Sequence, residues 1–420
     1  MKKIGIITYH SVCNFGAQLQ AISTVGYLKN KGYEPIVIHW YPKDLDEMYL
    51  KRIPSEQYKC HIDFAEQNMP LTKLCQTENE LLQVIEETKL DAIILGSDAL
   101  FKYLPHSCYR IFSRRKFRFV NVPFVSDQIL SGNPFWGSFI PKLKKQIPVF
   151  VFSVSSQNAP YNKVNKQEYD ELKKSLGRFS YITVRDEWTK QMVKYFLGDV
   201  DIPVTPDPVF SFNQNVYLPK PSKEELLKKY GLPDNYVLLS FRLCYLSNNY
   251  IKEIETQLKV KGYTAVAFPM PEGLKDYGLT YKILIPLSPL EWYYLIKYAA
   301  GYIGERMHPM VVALHNAVPF FCFDEYGVTK DIVPFTFKFN LPIIFKFNKK
   351  FIWKSSKIYH ILSVADLLNN AVSYNGKYKK LTPSEIIHKI LTFDIEKAEK
   401  FSNDYQKYYE KSMDNLIKLL

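Results

Sequence analysis

Arg306 and His308 stand two residues apart at the start of an apolar run with helical periodicity. The N-terminus of a helix carries unpaired N–H groups and a partial positive charge, so it favours anions. Arg306 adds a planar guanidinium that can bind phosphate or carboxylate through two hydrogen bonds. His308 adds a group that can donate or accept a proton near neutral pH. The pair predicts acid–base chemistry on an anionic substrate. The alternative is a surface arginine in an ion pair beside a structural histidine.

The segments around this pair predict where it lies in the fold. Residues 300–304 read as a short strand ending in glycine, and residues 317–323 read as the next buried strand. The pair would therefore lie at the carboxyl end of a strand, where open parallel sheets bind ligands. Asp98, Arg185 and Arg242 also follow predicted strands.

The order of predicted elements indicates an α/β protein with two doubly wound, Rossmann-like domains. Residues 3–9, 17–29 and 34–40 read as strand, helix and strand, which requires a parallel sheet. A second strand–helix–strand pattern covers residues 236–268, after a proline-rich linker at 218–222. We predict an N-terminal domain at 1–218 with an irregular loop at 103–139, a C-terminal domain at 219–381, and a helical segment at 382–420. An active-site cleft would lie between the two domains.

Composition and cysteine spacing exclude several classes of protein. The 420 residues are 47% hydrophobic and 23% charged, as in globular proteins. The six cysteines lie far apart, so we expect free thiols and neither a zinc site nor a disulfide framework. Cys13, near the first strand–helix turn, is the only thiol that could be reactive. No stretch approaches the roughly 20 apolar residues of a membrane span, and the N-terminus reads as a strand, so we expect a cytoplasmic protein.

The formal net charge of +13 is concentrated in two segments. One covers residues 102–118, and the other, at 335–359, interleaves eight aromatic residues with six lysines. Such a mixture suits an anionic membrane surface, which would make the protein peripheral at the inner face of the membrane. It also suits single-stranded nucleic acid, or a solvated basic surface. We predict the membrane contact and expect no nucleic-acid partner.

Several short motifs, taken in order, resemble those of the polysaccharide pyruvyl transferase family. They extend from residue 4 to about residue 320, and their order is more specific than any one of them. The matching residues are Ile6-Ile7-Thr8-Tyr9-His10, Asn14-Phe15-Gly16-Ala17-Gln18-Leu19-Gln20-Ala21, Gly96-Ser97-Asp98, Phe135-Trp136-Gly137, Val184-Arg185-Asp186, Asp207-Pro208 and Arg306-Met307-His308. The chain departs from the usual motifs at 99–101, at 152–157 and at Pro309, which stands where the family usually has glycine.

The resemblance implies a glycosyltransferase-B-like (GT-B-like) fold and a reaction. Pyruvate would pass from phosphoenolpyruvate to two sugar hydroxyls of a surface polysaccharide precursor, which can be lipid-linked, and form a cyclic ketal. The C-terminal domain would bind the donor and the N-terminal domain the acceptor. We expect no metal and no cofactor. The alternatives are a nucleotide-sugar glycosyltransferase on the same fold and a non-catalytic, membrane-associated scaffold.

This reaction suggests a role for each candidate residue. Arg306, Arg185 and Arg242 would bind the anionic donor, and His308 would carry the protons. Asp98 would deprotonate a hydroxyl or bind the sugar, or else cap a helix. Four residues of the first strand–helix turn would bind a polar ligand: Tyr9, His10, Asn14 and Gln18. Asp207 is expected to fix the interdomain loop.

Overall fold

The computed structural model describes residues 1–113, 118–121, 124–157, 159–241, 246–275, 277–325, 329–330, 351–352 and 356–420. In this part of the chain, two parallel sheets, each flanked by helices, account for most of the regular structure. This confirms the predicted α/β class with two Rossmann-like sheets. The domain boundaries themselves stay predictions.

The first sheet comes from residues 3–184 and has the strand order β2-β1-β3-β6-β7, all parallel. The residues of β3 and β6 are buried along their whole length, as expected of central parallel strands covered on both faces. Its strands are β1 (Lys3–Ile7), β2 (Glu34–Val37), β3 (Ala92–Leu95), β6 (Val149–Val154) and β7 (Tyr181–Val184), and its helices are α1 (Phe15–Asn30), α2 (Lys43–Leu50), α3 (Ser55–Asn68), α4 (Glu78–Thr88), α5 (Lys166–Leu176), α6 (Glu187–Leu197) and α7 (Phe212–Asn215).

The predicted irregular loop at 103–139 contains a short antiparallel hairpin, β4 (Arg110–Ser113) with β5 (Arg118–Asn121). Its C-terminal part is packed into the first domain. Phe135 and Trp136 are fully buried, and the Trp136 ring stacks on Phe101 with centroids 4.7 Å apart. Burial of two large aromatic rings fixes this part of the segment to the first domain.

The second sheet comes from residues 236–373 and has the order β10-β9-β8-β11-β12-β15. A further small pair joins β13 to β14. The strands are β8 (Tyr236–Ser240), β9 (Thr264–Ala267), β10 (Tyr281–Lys282), β11 (Gly301–Gly304), β12 (Phe320–Asp324), β13 (Thr329–Lys330), β14 (Phe351–Ile352) and β15 (Ala371–Ser373), and the helices are α8 (Lys223–Tyr230), α9 (Asn248–Val260), α10 (Pro289–Lys297), α11 (Met307–His315), α12 (Lys357–Val364), α13 (Pro383–Leu391) and α14 (Ile395–Ile417).

The two domains share a continuous apolar core. Phe15, which opens α1, stacks on Trp292 of α10 with ring centroids 5.1 Å apart. Gln57 of α3 is fully buried, and its amide exchanges hydrogen bonds of 2.7 and 2.9 Å with the backbone of Leu287. Contacts of this kind hold the carboxyl ends of the two sheets facing each other.

The C-terminal helix α14 packs against both domains. Tyr409 lies edge-on to Tyr27 of α1, and Lys31 forms an ion pair of 2.8 Å with Asp414. On the other side, Ser402 donates a 3.0 Å hydrogen bond to the backbone of His315 in α11. The predicted helical segment therefore contacts both domains through α14 and links them across their interface.

Candidate functional site

A cavity of about 330 Å³ opens between the two domains, where the first turns of α1 and α11 approach each other. Its wall combines aromatic, cationic and carboxylate side chains from both domains. Its polar and charged lining residues include Tyr9, Asn14, Tyr49, Asp98, Lys102, Gln157, Glu305, Arg306, His308, Asp324, Glu325, Ser356 and Lys357.

His308 is the second residue of α11, and its side chain packs on α1 of the opposite domain. A Cβ added at Gly16 would meet the His308 ring at 2.0–2.4 Å, so any side chain there would displace the imidazole. Gly16 therefore has a steric reason to be glycine, and its φ is not among the positive ones. The sequence Asn14-Phe15-Gly16 shapes a seat for His308, and Asn14 also caps α1 by accepting the Ala17 N–H.

A buried charge cluster lies behind His308. The Arg185 guanidinium donates to Asp207 at 2.7 Å and to Asp98 at 3.3 Å, and Arg185 is only 3% exposed. Asp207 also accepts from Gln20 and from the Val209 N–H, and its Oδ2 is 3.9 Å from His308 Nε2. One arginine thus holds two carboxylates, one of which faces the imidazole.

The cluster sets the protonation of the site. Burial by itself would raise the pKa of Asp98, but the positive charge of Arg185, with smaller contributions from Lys357 and Lys102, outweighs it and holds the pKa well below its usual range. Burial lowers the pKa of His308, and Asp207 and Asp98 oppose this only in part. At neutral pH the site therefore presents an ionised Asp98 and a neutral His308. Such an imidazole can accept a proton before it donates one.

Arg306 is the N-cap residue of α11 and lines the cavity, as its prediction as a donor ligand requires. Its guanidinium is 3.5 Å from Glu272, with 27% of the side chain exposed, and its Nε has no hydrogen-bond partner among the described residues. Arg185 differs from its prediction. It is absent from the cavity wall and its charge is shared by two aspartates, so here it orients carboxylates instead of facing the cavity.

The four predicted residues of the first turn separate into two groups. Tyr9 and Asn14 line the cavity. His10 and Gln18 are fully buried and are not part of its lining, so ligand binding by these two residues stays a prediction. His10 Nδ1 is 3.0 Å from the Thr8 carbonyl, and burial lowers its pKa to about 3. The Gln18 amide bonds to His61, because α3 covers this side of the turn.

Asp98 does not cap a helix, since the described chain after β3 continues without one until 106. Its carboxylate accepts the N–H of the next residue, Ala99, at 2.8 Å. Its φ of 81° lies in the left-handed region, which costs free energy for a residue other than glycine. Strain of this kind is common at functional sites.

Lys102 and Lys357 were not predicted as site residues, and Asp207 was predicted only to fix its loop. Lys102 lines the cavity, 4.8 Å from the Tyr9 ring centre and 3.3 Å from Asp127. Lys357 also lines it, although it belongs to the segment predicted to contact a membrane. Asp207 accepts hydrogen bonds from Arg185 in the charge cluster and from the Val209 N–H in its own loop. Position in the sequence carries no signal for the two lysines, because tertiary packing alone brings them to the cavity.

Three further predictions concern Arg242, the basic aromatic segment and Cys13. Arg242 lies outside the described residues, as do residues 335–350 and 353–355 of the basic aromatic segment. Burial raises the pKa of Cys13 to about 12, so it is no ready nucleophile. Within the described ranges, no group of three acidic, His or Cys side chains is placed to hold a metal ion. Nor is any helix there both long and apolar enough to traverse a bilayer.

Solved structures with the same architecture include S. aureus MnaA in a co-structure with UDP, with a TM-score of 0.51 and 12% identity, covering 100% of this chain and 96% of that one. The UDP-GlcNAc 2-epimerase from Neisseria meningitidis, bound to UDP-GlcNAc, has a TM-score of 0.50 and 11% identity, covering 100% of both chains. At such identities the likeness concerns the fold, and it confirms the GT-B-like arrangement.

No curated protein matches the sequence. The family model for polysaccharide pyruvyl transferase, in contrast, matches residues 14–325, about three quarters of the chain. The match begins at Asn14 and spans Asp98 and His308, which line the cavity, and Arg185 and Asp207, which form the charge cluster behind His308. The chain therefore belongs to the polysaccharide pyruvyl transferase family, whose members are transferases acting on polysaccharides.

Proposed function

We propose that this protein transfers the pyruvyl group of phosphoenolpyruvate to two hydroxyls of one sugar, forming a cyclic ketal. The observation that carries the proposal is the pairing, in one cavity, of a neutral His308 with an ionised Asp98 beside Arg306. An anionic donor needs a cation to hold it, and two hydroxyl attacks need a group that takes up and returns protons.

The proton balance of the reaction suits such a site. In the first step, one hydroxyl oxygen bonds to C2 of the donor, its proton is lost, and C3 gains a proton. In the second step, the other hydroxyl bonds to C2, the C2–phosphate bond breaks, and phosphate leaves with a proton. Two protons are released and two are consumed, so one residue can relay both. We assign this relay to His308.

The other residues have supporting roles in this proposal. Arg306 binds the donor, because its guanidinium reaches the cavity at the start of α11. Asp98 accepts a hydrogen bond from an acceptor hydroxyl, since its low pKa keeps it an acceptor at neutral pH. Arg185 and Asp207 position Asp98 and the imidazole. Tyr9 and Tyr49 offer rings and hydroxyls to a saccharide on the first-domain side.

Donor identity is tested by incubating the protein with acceptor saccharides, free and lipid-linked, and either phosphoenolpyruvate or nucleotide sugars. We expect phosphate release and a ketal carbon signal by NMR only with phosphoenolpyruvate. Arg306→Ala should weaken donor binding by about 1.5–3 kcal/mol in calorimetry, the worth of a charge-assisted hydrogen bond. Sugar transfer from a nucleotide donor would instead identify a glycosyltransferase. No transfer from any donor, with in vivo function retained in Arg306→Ala, would favour a scaffold.

Membrane association remains part of the proposal, on the basis of the sequence at 335–359. A lipid-linked acceptor would be reached at an anionic surface, and each lysine near such a surface contributes about 1 kcal/mol. Co-sedimentation with vesicles should therefore require anionic lipid and weaken with salt. Equal binding to neutral and anionic vesicles would refute this contact.

A further inference from the structure

Lys357 is the first residue of α12 and lines the cavity opposite the first domain, together with Ser356 and Asp324. Ser356 caps α12 by accepting the Tyr359 N–H and donates its own hydroxyl proton to Asp324 at the end of β12. The start of the helix is thereby tied to the second sheet. This anchoring fixes the backbone from which Lys357 reaches the cavity.

The other cations near the cavity are already paired. Arg185 is shared by Asp98 and Asp207, Lys102 lies 3.3 Å from Asp127, and Arg306 lies 3.5 Å from Glu272. Lys357 is different, because no carboxylate of the described residues is within 4.0 Å of its ammonium group. Lys357 is half-buried, and an ammonium group that is partly shielded from water and has no carboxylate partner leaves a place for an anion.

We propose that Lys357 is an anion ligand of the cavity and binds the phosphate group of the donor, beside Arg306. An ammonium is a compact charge that suits phosphate, whereas a guanidinium can grip either a carboxylate or a phosphate through two hydrogen bonds. The inference rests on the proposed function only for the identity of the donor. The anion subsite itself can be tested with inorganic phosphate.

The charges that face Lys357 make the subsite sensitive to pH. Burial and the neighbouring Arg185 lower the pKa of Lys357 to about 8, and Asp98 only partly opposes them. The facing groups from the surrounding elements are Arg185, Asp186, Asp98, Lys102 and His308, and the carboxyl groups of Glu305, Asp324 and Glu325 line the same cavity. Without an anion, Lys357 loses its proton as the pH rises through about 8. A bound phosphate should restore the proton.

The test is calorimetry of inorganic phosphate binding to the full chain near pH 7 and near pH 8.5, in buffers of different ionisation enthalpy. We expect the wild type to take up a proton on binding at the higher pH. Lys357→Met should lose roughly tenfold or more in affinity at pH 7 and lose this uptake. Lys357→Arg should keep the affinity and lose the uptake, since arginine stays charged. Lys380→Met, which removes the same charge from an exposed site, should behave as wild type.

Two results would overturn the proposal: no measurable phosphate binding by the wild type, or equal affinity and equal proton uptake in the wild type and Lys357→Met. Competition then separates this inference from the proposed function. If Lys357→Met loses phosphate binding but phosphoenolpyruvate does not displace phosphate from the wild type, the subsite stands and the donor assignment fails. If phosphoenolpyruvate binds equally well to both proteins, the donor does not use Lys357.

Discussion

Two strand–helix turns face each other across the cavity, and they differ in how they use polar residues. The turn from β1 to α1 spans residues 8–14, whereas the turn from β11 to α11 consists of residues 305 and 306 only. In the long turn, His10 is buried against its own backbone. After the short turn, Arg306 and His308 both face the cavity.

The comparison shows that the fold around a strand end decides whether a polar side chain there faces the cavity or is buried away from it. In the long turn, the buried His10 ring lies 3.0 Å from the Thr8 carbonyl, and in the first turn of α1 the Gln18 amide donates to the His61 carbonyl. The short turn places Arg306 at the N-cap of α11 and His308 in the first turn of that helix, where its ring contacts Gly16 of the opposite domain. The first turn supplies the seat, and the second leads to His308, the residue to which we assign the proton relay.

The largest effect on catalysis is expected from removing the His308 imidazole. His308→Ala should lower the rate of transfer by about 10²–10⁴, the usual contribution of a positioned acid or base. Donor affinity should stay within a few-fold of wild type, because the neutral imidazole forms no ion pair with the anionic donor. Single-turnover phosphate release and calorimetry measure the two quantities. Near-normal turnover would show that His308 has a structural role and that the proton relay must be sought elsewhere, including the turn from β1 to α1.

A smaller but more specific effect is expected from the seat. In Gly16→Ala, the added Cβ would lie 2.0 Å from His308 Cγ, so the imidazole must shift. A misplacement of about 1 Å can cost about 10² in rate, and overpacking costs about 1–3 kcal/mol of stability. Gly177→Ala is a matched control, since its new Cβ would meet only carbonyl oxygens at 3.4 and 3.7 Å. Turnover equal in the two variants would show that the seat does not position His308.

The smallest effect on catalysis is expected from the long turn. Because the pKa of His10 is about 3 in the fold and about 6.5 unfolded, the unfolded chain binds the extra proton between these values. The free energy of unfolding should therefore fall as pH drops below about 6.5, by up to about 1.4 kcal/mol per pH unit for this histidine. His10→Asn should flatten that slope in denaturant titrations and leave the pH dependence of turnover unchanged. The exposed His388→Asn serves as control, and an unchanged slope in His10→Asn would contradict the argument.

Much of the fold was predictable because periodicity and capping are local. The helix predicted at 17–29 is α1 (Phe15–Asn30), and the strand predicted at 34–40 contains β2 (Glu34–Val37). The hairpin β4–β5 and the burial of Trp136 were not predicted. They depend on contacts with residues far away in the sequence, such as Phe101 for the Trp136 ring.

The sequence by itself determined the motif residues: the chemical types at Asp98, Arg185, Asp207, Arg306 and His308, and their places at strand ends. Tertiary structure decided their roles, because burial and distance set which charges are paired. It turned His10 and Gln18 inward, joined Arg185 to two aspartates, and brought Lys357 into the cavity. The interactions of a charged side chain depend on neighbours within a few ångströms, and in this protein those neighbours come from distant parts of the chain.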